Sequence, residues 1–192
     1  SNSSMTSLTQ SITFNYDTAP PVSAVTSLTA GQALTSRITE IAGTAIDKTS
    51  TGTPSGLDGT AFRIAIQRQS DSRWWCDPDL GCYAGSISTW LPNISGALYQ
   101  SSMVAANVGS GSGLKNWSLT LSTTFFDLLG ATDTFKVFTW GQDLAVYPAP
   151  NVESSATVKR VFSYLCSTPT LTSIIPVAST ATNNAPFVQL DL

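Results

Sequence analysis

Apolar side chains occupy every second position along much of this 192-residue chain. Phe62, Ile64 and Ile66 show the pattern most plainly. The same period of two recurs in five other segments, Leu8–Tyr16, Ile41–Ala45, Trp117–Leu121, Phe135–Thr139 and Val158–Tyr164. Successive side chains of a strand point to opposite faces of a sheet, so this alternation is typical of half-buried antiparallel strands. Only Thr123–Leu129 is a helix candidate.

The segments between these strands are rich in residues that favour turns. Residues 48–60, 107–114 and 147–151 concentrate Gly, Pro, Ser and Asn, which interrupt regular structure for separate physical reasons. About seven strands separated by such loops predict an all-β protein, an antiparallel β-sandwich. We place the sandwich at residues 21–165. Residues 1–20 are then an N-terminal strand and linker, and residues 166–192 a C-terminal strand segment.

The composition excludes several classes of function. The chain contains no histidine, so Ser-His-Asp triads and His-bearing zinc sites are excluded. Nine Lys and Arg against twelve Asp and Glu leave no basic face for nucleic acid, and no apolar run approaches the ~20 residues of a membrane span. Paired carboxylates could serve a glycosidase, but Glu40 and Glu153 have no aromatic cleft motif around them. We therefore expect no catalytic activity and no cofactor.

The two ends of the chain resemble each other in sequence. Phe14, Tyr16 and Pro21 align with Phe162, Tyr164 and Pro169 at an offset of 148 residues. A fixed offset of this kind is a signature of internal repetition. The N-terminal strand would then have the sequence of a last strand of the sandwich.

Several motifs follow one another in the order found in a known family. The residues that carry the resemblance are Phe14-x-Tyr16-Asp17-Thr18-x-Pro20, Ile41-Ala42-Gly43-Thr44-Ala45-x-Asp47, Ser55-Gly56, Ile64-x-Ile66-Gln67-Arg68-x-x-Asp71-x-x-Trp74-Trp75, Trp117-x-Leu119 and Phe135-x-Val137-x-Thr139-Trp140-x-Gln142-Asp143. Over roughly residues 14–169 the chain resembles the bacterial Ig-like repeats of large surface and extracellular proteins.

The resemblance implies an Ig-like antiparallel sandwich of about seven strands and an extracellular or cell-surface location. Two departures stand out. The family's Ser-Gly-Val turn ends here in Leu57, and its closing Asp-x-x-Gly-Asn strand reads Asp143-Leu-Ala-Val-Tyr. These departures favour a specialised relative over an interchangeable member of a long array.

Cys76 and Cys82 bracket five residues, a spacing that a disulfide can close in an exported protein. Cys166 is left over, and both a buried free thiol and an intermolecular bond fit it. Asp77 and Asp79 lie between the paired cysteines. They are candidates for calcium, although solvated turn carboxylates are the default interpretation. Further acidic residues lie in other loops and in the linker, at Asp17, Asp47, Asp58 and Asp71.

Four aromatic residues surround the paired cysteines: Trp74, Trp75, Tyr83 and Trp90. Exposed aromatic rings stack on sugars or fill a partner's pocket, although a sandwich core also needs at least one of them. Three sequons, at Asn2, Asn93 and Asn116, are glycosylation candidates in a host that glycosylates.

The sequence favours a non-catalytic structural subunit of an extracellular filament or adhesin, a pilus-like polymer of identical copies. An unpaired strand with an apolar face needs another chain to cover it, and donating a strand to a neighbour does so. The strand positions concerned are Leu8, Ile12, Phe14, Tyr16, Phe187, Val188 and Leu190. The alternative is a glycan- or receptor-binding Ig-like module from a larger surface protein.

Overall fold

The structure is a computed structural model of the chain. It describes residues 17–48, 53–82, 87–92, 103–104, 108–129, 132–146 and 149–165, and the backbone of 174–177 and 187–190. Its strands are β1 (Val22–Val25), β2 (Gln32–Leu34), β3 (Glu40–Ile46), β4 (Leu57–Arg68), β5 (Trp74–Cys76), β6 (Thr89–Leu91), β7 (Met103–Val104), β8 (Lys115–Thr120), β9 (Asp133–Asp143), β10 (Val158–Tyr164), β11 (Ile174–Val177) and β12 (Phe187–Leu190). The helix α1 spans Thr123–Asp127.

Two sheets pack face to face. One has the order β1-β3-β8 and the other β2-β10-β9-β4-β5-β6, with β7 also paired to β4. All of these pairings are antiparallel except β2 with β10, which is parallel. The larger sheet resembles that of a variable-type immunoglobulin domain, in which the sheet that holds the last strand is extended by two additional strands, while the smaller sheet has three described strands where such a domain has four. The predicted all-β, Ig-like sandwich is confirmed at the level of the fold.

The core lies between the sheets and is dominated by aromatic rings. The largest fully buried side chains include Trp75, Trp117, Phe62, Phe125, Phe135 and Phe162. Phe125 comes from α1, the predicted helix, and its ring lies 5.2 Å from that of Trp75. Such ring pairs add roughly 0.5–1.5 kcal/mol beyond the burial of their area. The alternation read from the sequence therefore identified the inward face of the main strands.

Gly43 allows the closest approach within the smaller sheet. The indole of Trp117 lies directly over it, and a Cβ at this position would lie 2.3 Å from Trp117 Cζ2 and 2.0 Å from the carbonyl oxygen of Ala24. The indole Nε1 donates a hydrogen bond of 3.1 Å to the carbonyl of Thr44. The glycine of the Gly-Thr-Ala-x-Asp motif is thus required by packing.

The two ends of the sandwich are distinct. At what we call the proximal end, β1 begins and β3 ends, since Val22 pairs with Ile46, and β4 begins where β9 ends, since Leu57 pairs with Asp143. At the opposite, distal end, β10 finishes beside the start of β9, since Tyr164 pairs with Asp133. The chain therefore enters the sandwich at the proximal end and leaves it at the distal end.

The strands of the two packed sheets lie within the predicted range 21–165. In the C-terminal segment, β11 and β12 pair antiparallel with each other, with Ile174 opposite Leu190 and Val177 opposite Phe187. The predicted N-terminal assembly positions Leu8, Ile12, Phe14 and Tyr16 lie outside the described residues. Among the described residues no helix has the length and apolar character needed to cross a membrane.

Candidate functional site

Three carboxylates meet at the proximal end. Asp17 lies in the linker before β1, Asp47 follows β3, and Asp143 is the last residue of β9. One carboxylate oxygen from each lies within 4.8 Å of the other two. Strand pairing brings them together, because the start of β1 lies beside the end of β3 and the start of β4 lies beside the end of β9. We call this set the proximal aspartate cluster.

Backbone N–H groups fix the orientation of Asp17. Its Oδ2 accepts from the Ser55 N–H at 2.8 Å, and its Oδ1 accepts from the Ala19 N–H at 3.1 Å. Burial acts to raise the pKa of Asp17, but its hydrogen bonds with the two N–H groups and with the side chains of Ser55 and Asp47 hold the pKa below its usual value. The linker is therefore attached to the loop before β4 through an ionised carboxylate.

Asp143 is held in the same manner at the end of β9. Its Oδ1 accepts from the backbone N–H of Asn151 at 2.7 Å and of Ala145 at 3.1 Å, and its Oδ2 accepts from Asn151 Nδ2 at 2.6 Å. The same side-chain amide donates to the carbonyl of Asp17 at 3.1 Å. Asn151 therefore connects the linker directly to β9.

Asp47 is almost fully buried, with 2% of its surface exposed, as is Asp143 with 1%. Its Oδ2 accepts from the Gly56 N–H at 2.6 Å, while its Oδ1 is buried and has no hydrogen-bond partner among the described residues. Burial raises the pKa of Asp47, the Gly56 N–H opposes that rise, and the charges of Asp17 and Asp143 add to it. The carboxylate is thus held in place by one oxygen while the other is left unsatisfied.

The turn that supplies the Gly56 N–H requires glycine. Gly56 has φ +97°, and a Cβ there would lie 2.8 Å from the Cα of Gly111. Leu57 and Gly111 exchange two backbone hydrogen bonds, which fix the start of β4 against this loop. The Ser-Gly motif of the sequence therefore forms one wall of the proximal aspartate cluster.

A network of polar side chains joins the two sheets, and no motif in the sequence indicated it. Glu153, which is 7% exposed, accepts from the N–H and Oγ of Ser23 at 2.8 and 2.6 Å and from Lys159 Nζ at 2.5 Å. Ser23 Oγ also lies 2.7 Å from Thr139 Oγ1. Strand β1 is thereby attached to the opposite sheet by a buried charged network.

The cysteine loop folds as predicted around a disulfide. Cys76 and Cys82 are bonded, with a Cα–Cα distance of 5.5 Å. Between them Asp77 caps a 3₁₀ turn, Pro78–Leu80, by accepting from the Asp79 N–H. Asp77 therefore has a structural role in this turn, and neither candidate belongs to the proximal aspartate cluster.

The indoles near this loop are buried, in contrast to the exposed platform that the sequence suggested. Trp74, Trp75 and Trp90 are 7%, 0% and 6% exposed. Trp75 and Trp90 pack against Phe125 in the core, while Trp74 packs on Phe138 within a second apolar cluster. These three side chains offer almost no surface to a sugar ring or a partner. The prediction that they form an exposed binding surface is therefore wrong for these three residues.

The other predicted positions are scattered. Asn116 is exposed on β8, at the edge of the described three-stranded sheet. Asp58 accepts hydrogen bonds from Thr60, and Asp71 forms ion pairs with two arginines. Phe187, Val188 and Leu190 lie on β12. Asn2, Asn93, Tyr83 and Cys166 lie outside the described residues.

Comparison of the sequence with protein-family models, with curated proteins and with solved structures found no match. The strand order shows an Ig-like sandwich, and the resemblance to bacterial surface repeats stays a hypothesis based on motif order.

Proposed function

We propose that this chain is a non-catalytic structural subunit of an extracellular or cell-surface filament or adhesin, connected in line with neighbouring subunits or modules. The observation that carries the proposal is the path of the chain, which enters the sandwich at the proximal end beside Asp17 and leaves it at the distal end after Tyr164. A module with this path transmits tension along its long axis when its neighbours are pulled apart.

The pairing of β2 with β10 suits this role. The two strands are parallel, and Gln32 lies opposite Phe162. Backbone hydrogen bonds at both ends of the pair, Gly31 N–H to Val161 O at 2.9 Å and Leu165 N–H to Leu34 O at 2.8 Å, hold them together. Tension applied at the two ends of the chain pulls these strands in opposite directions along their length, so their hydrogen bonds are loaded together.

Two further features support an extracellular structural role. A disulfide persists in oxidising surroundings, such as the outside of a cell. The sequence just before Asp17 repeats the Phe-x-Tyr motif of β10, in which Phe162 is fully buried. That repetition is what in-line copies of one sandwich would show at each junction.

Force spectroscopy on the full chain, tethered at its two ends, tests the load path. We expect one abrupt rupture, and Leu34→Ala should lower the rupture force. Leu119→Ala is the matched control, since both leucines are buried, at 6% and 1% exposure, but β8 lies outside the β2–β10 pair. Equal loss of force in the two variants, or extension without a rupture, would contradict the proposal.

Assembly through the terminal strands is tested separately. Negative-stain electron microscopy of the purified chain, with a mildly heated SDS gel beside it, distinguishes two arrangements. Fibres and a heat-labile ladder support exchange of terminal strands between copies. Monomeric particles would refute exchange between identical copies and leave covalent linkage within a longer chain as the in-line connection.

The alternative of a glycan- or receptor-binding module depended on exposed indoles beside the disulfide. The three indoles near the disulfide, those of Trp74, Trp75 and Trp90, are buried. No other feature of the described residues favours that function over the structural one.

A further inference from the structure

We propose that the free edge of strand β8, Lys115–Thr120, pairs antiparallel with the same edge of a second copy of the chain. The smaller sheet has the order β1-β3-β8, so β8 has one strand neighbour among the described residues. A variable-type immunoglobulin domain has a fourth strand at this edge. Here β7, the described strand that precedes β8, pairs instead with β4 in the larger sheet. In the described part of the chain, the fourth position of the smaller sheet is therefore open to another strand.

The hydrogen bonds of β3 show which backbone groups of β8 lie on this edge. The carbonyl of Ala42 accepts from two N–H groups on the β1 side. Its neighbours Ile41 and Gly43 consequently bond to β8, because successive backbone groups of an antiparallel strand point to opposite sides. Their register partners in β8 are Leu119 and Trp117. The N–H and C=O groups that point to the free edge are those of the alternate residues, Asn116, Ser118 and Thr120.

The opposite edge of the same sheet is protected by side chains, and the edge of β8 is not. In β1 the outward N–H of Ser23 donates to Glu153 at 2.8 Å, and the outward carbonyl of Val25 accepts from Arg160 at 2.6 Å. Among the described residues no side chain bonds in this way to the outward groups of β8. The edge strands β2 and β6 of the larger sheet have only three residues each, whereas β8 has six. A long, unprotected edge is a template for pairing with another chain.

The sequence of β8 also lacks the features that keep sheet edges apart. Its pairing with β3 continues from Lys115 to Thr120 without a bulge. It contains no proline, and its one charged residue is Lys115, at its start. The side chains of its edge residues are short and polar, exposed at Asn116 and Thr120 and half-buried at Ser118. Charges, prolines and bulges are the usual protection of an edge, so β8 is a regular and nearly uncharged one.

Two copies of this edge are complementary when they run antiparallel. With Ser118 opposite its own counterpart, Asn116 of each copy lies opposite Thr120 of the other, and all the outward backbone groups pair. Hydroxyl and amide side chains that face each other across such a pair also stabilise it. The two Lys115 side chains then start about 20 Å apart, at opposite ends of the pair and beyond the screening length. A parallel pair in register would place them side by side, so charge and register favour the antiparallel copy.

The product is one continuous sheet through two sandwiches, with β8 of one copy beside β8 of the other. The interface is isologous, because the same strand serves both copies. Since the two strands run in opposite directions, the sandwiches lie side by side with their proximal ends pointing in opposite directions. In-line subunits of the proposed filament would thereby also be joined laterally. The inference goes beyond the proposed function and does not rest on it.

The first test is analytical ultracentrifugation of the full chain over roughly 1 µM to 1 mM, the Kd range of a weak interface. We expect a reversible dimer of twice the 20.2 kDa mass of one chain. Ser118→Asp and Ser118→Lys should each weaken the dimer at least about tenfold, because each puts two like charges opposite each other. An equimolar mixture of the two variants should restore it, because a carboxylate then faces an ammonium.

Disulfide trapping in a Cys166→Ser background tests the register, whether or not the chain also forms fibres. Ser118→Cys should give a covalent dimer on oxidation, because the paired Cα atoms would lie about 5.5 Å apart, within reach of a disulfide. Asn116→Cys is the matched control and should give none, because its two copies would be offset by roughly 14 Å along the strands. Asn116→Cys combined with Thr120→Cys should restore the covalent dimer.

Ala33→Asp controls for the added charge and should leave the dimer unchanged, since Ala33 is exposed on β2, an edge strand of the other sheet. Circular dichroism checks that each variant folds, and the cysteine variants, which add no charge, decide if a charged variant does not. A monomer at every concentration without a covalent dimer, or a dimer that both Ser118 variants leave intact, would overturn the proposal. Loss of the dimer in both Ser118 variants without recovery in the mixture would refute self-pairing and show that the edge accepts another strand, such as Leu8–Tyr16.

Discussion

Removal of the Glu153 carboxylate should be among the most damaging single changes to this protein. Glu153 accepts three hydrogen bonds, two from Ser23 and one from Lys159. The side chains of the ion pair are only 8% and 13% exposed. Glu153→Ala leaves the Ser23 N–H and hydroxyl without this acceptor, and it leaves a nearly buried ammonium without its counter-charge. Strand β1 then loses its main polar attachment to the opposite sheet.

The expected magnitude follows from those contacts. Breaking a buried ion pair by removing one partner costs about 3–5 kcal/mol, because the remaining charge is uncompensated. A neutral hydrogen bond contributes about 1 kcal/mol, and one to a charged group roughly 1.5–3 kcal/mol. Glu153→Gln keeps an acceptor for Ser23 but loses the charge, so we expect it to cost less, about 1–3 kcal/mol.

The assay is equilibrium urea unfolding of the wild type, Glu153→Ala, Lys159→Ala and the double variant, followed by Trp fluorescence. The double variant should cost at least about 1 kcal/mol less than the sum of the singles, since the two residues share one interaction. A cost of Glu153→Ala below about 1 kcal/mol, the value of an exposed pair, would refute a buried network. Additive single changes would show that the two side chains do not interact.

Three further predictions concern packing, pH and the disulfide. Gly43→Ala should lower the free energy of unfolding by about 3 kcal/mol or more in the same assay, because the new methyl group would collide with the Trp117 indole and with the carbonyl oxygen of Ala24. A change below about 1 kcal/mol would contradict this close packing. The hydrogen bond to its arginine partner holds the pKa of Asp71 below its usual value, so its stabilisation should be present above pH ~4 and lost as the pH falls through the lowered pKa. Asp71→Asn should then cost at most ~1 kcal/mol at pH 7 and less at pH 3, and a loss that is equal at both pH values would exclude the ion pair as its cause. Replacement of Cys76 and Cys82 by Ser should cost about 2 kcal/mol, measured as the shift in urea midpoint, because the bridge closes a short loop; no shift would show that the loop is ordered by packing alone.

The main strands could be predicted because one face of each packs in the core. The expected alternation fails in the second half of β9, where Phe138 and Trp140 are buried in the second apolar cluster and both faces are covered. Burial alternates along β3, and Phe62, Ile64 and Ile66 of β4 are all fully buried, as their spacing indicated. The strands β2, β5 and β6 have only three residues each, too few for a period to show. Pairing with longer neighbours stabilises them, and a local pattern does not record that pairing.

The tryptophans near the disulfide also show what a local pattern cannot predict. The sequence showed that these residues lie close to the cysteines along the chain, but it did not show whether their side chains are exposed. Trp75 and Trp90 are core residues because α1 places Phe125 against them, and Trp74 packs with Phe138 on the other face of the sheet. Only the tertiary structure decides which side of a short strand faces the core.

The sequence by itself determined the all-β class, the inward faces of the long strands, the helix at Thr123 and the Cys76–Cys82 bridge, because each depends on local spacing. The tertiary structure alone decided that Asp17, Asp47 and Asp143 meet, although they are far apart along the chain. Strand pairing across the sandwich brings them together, and burial leaves one oxygen of Asp47 unsatisfied. Long-range register and burial have no local signature, and the candidate site of this protein depends on both.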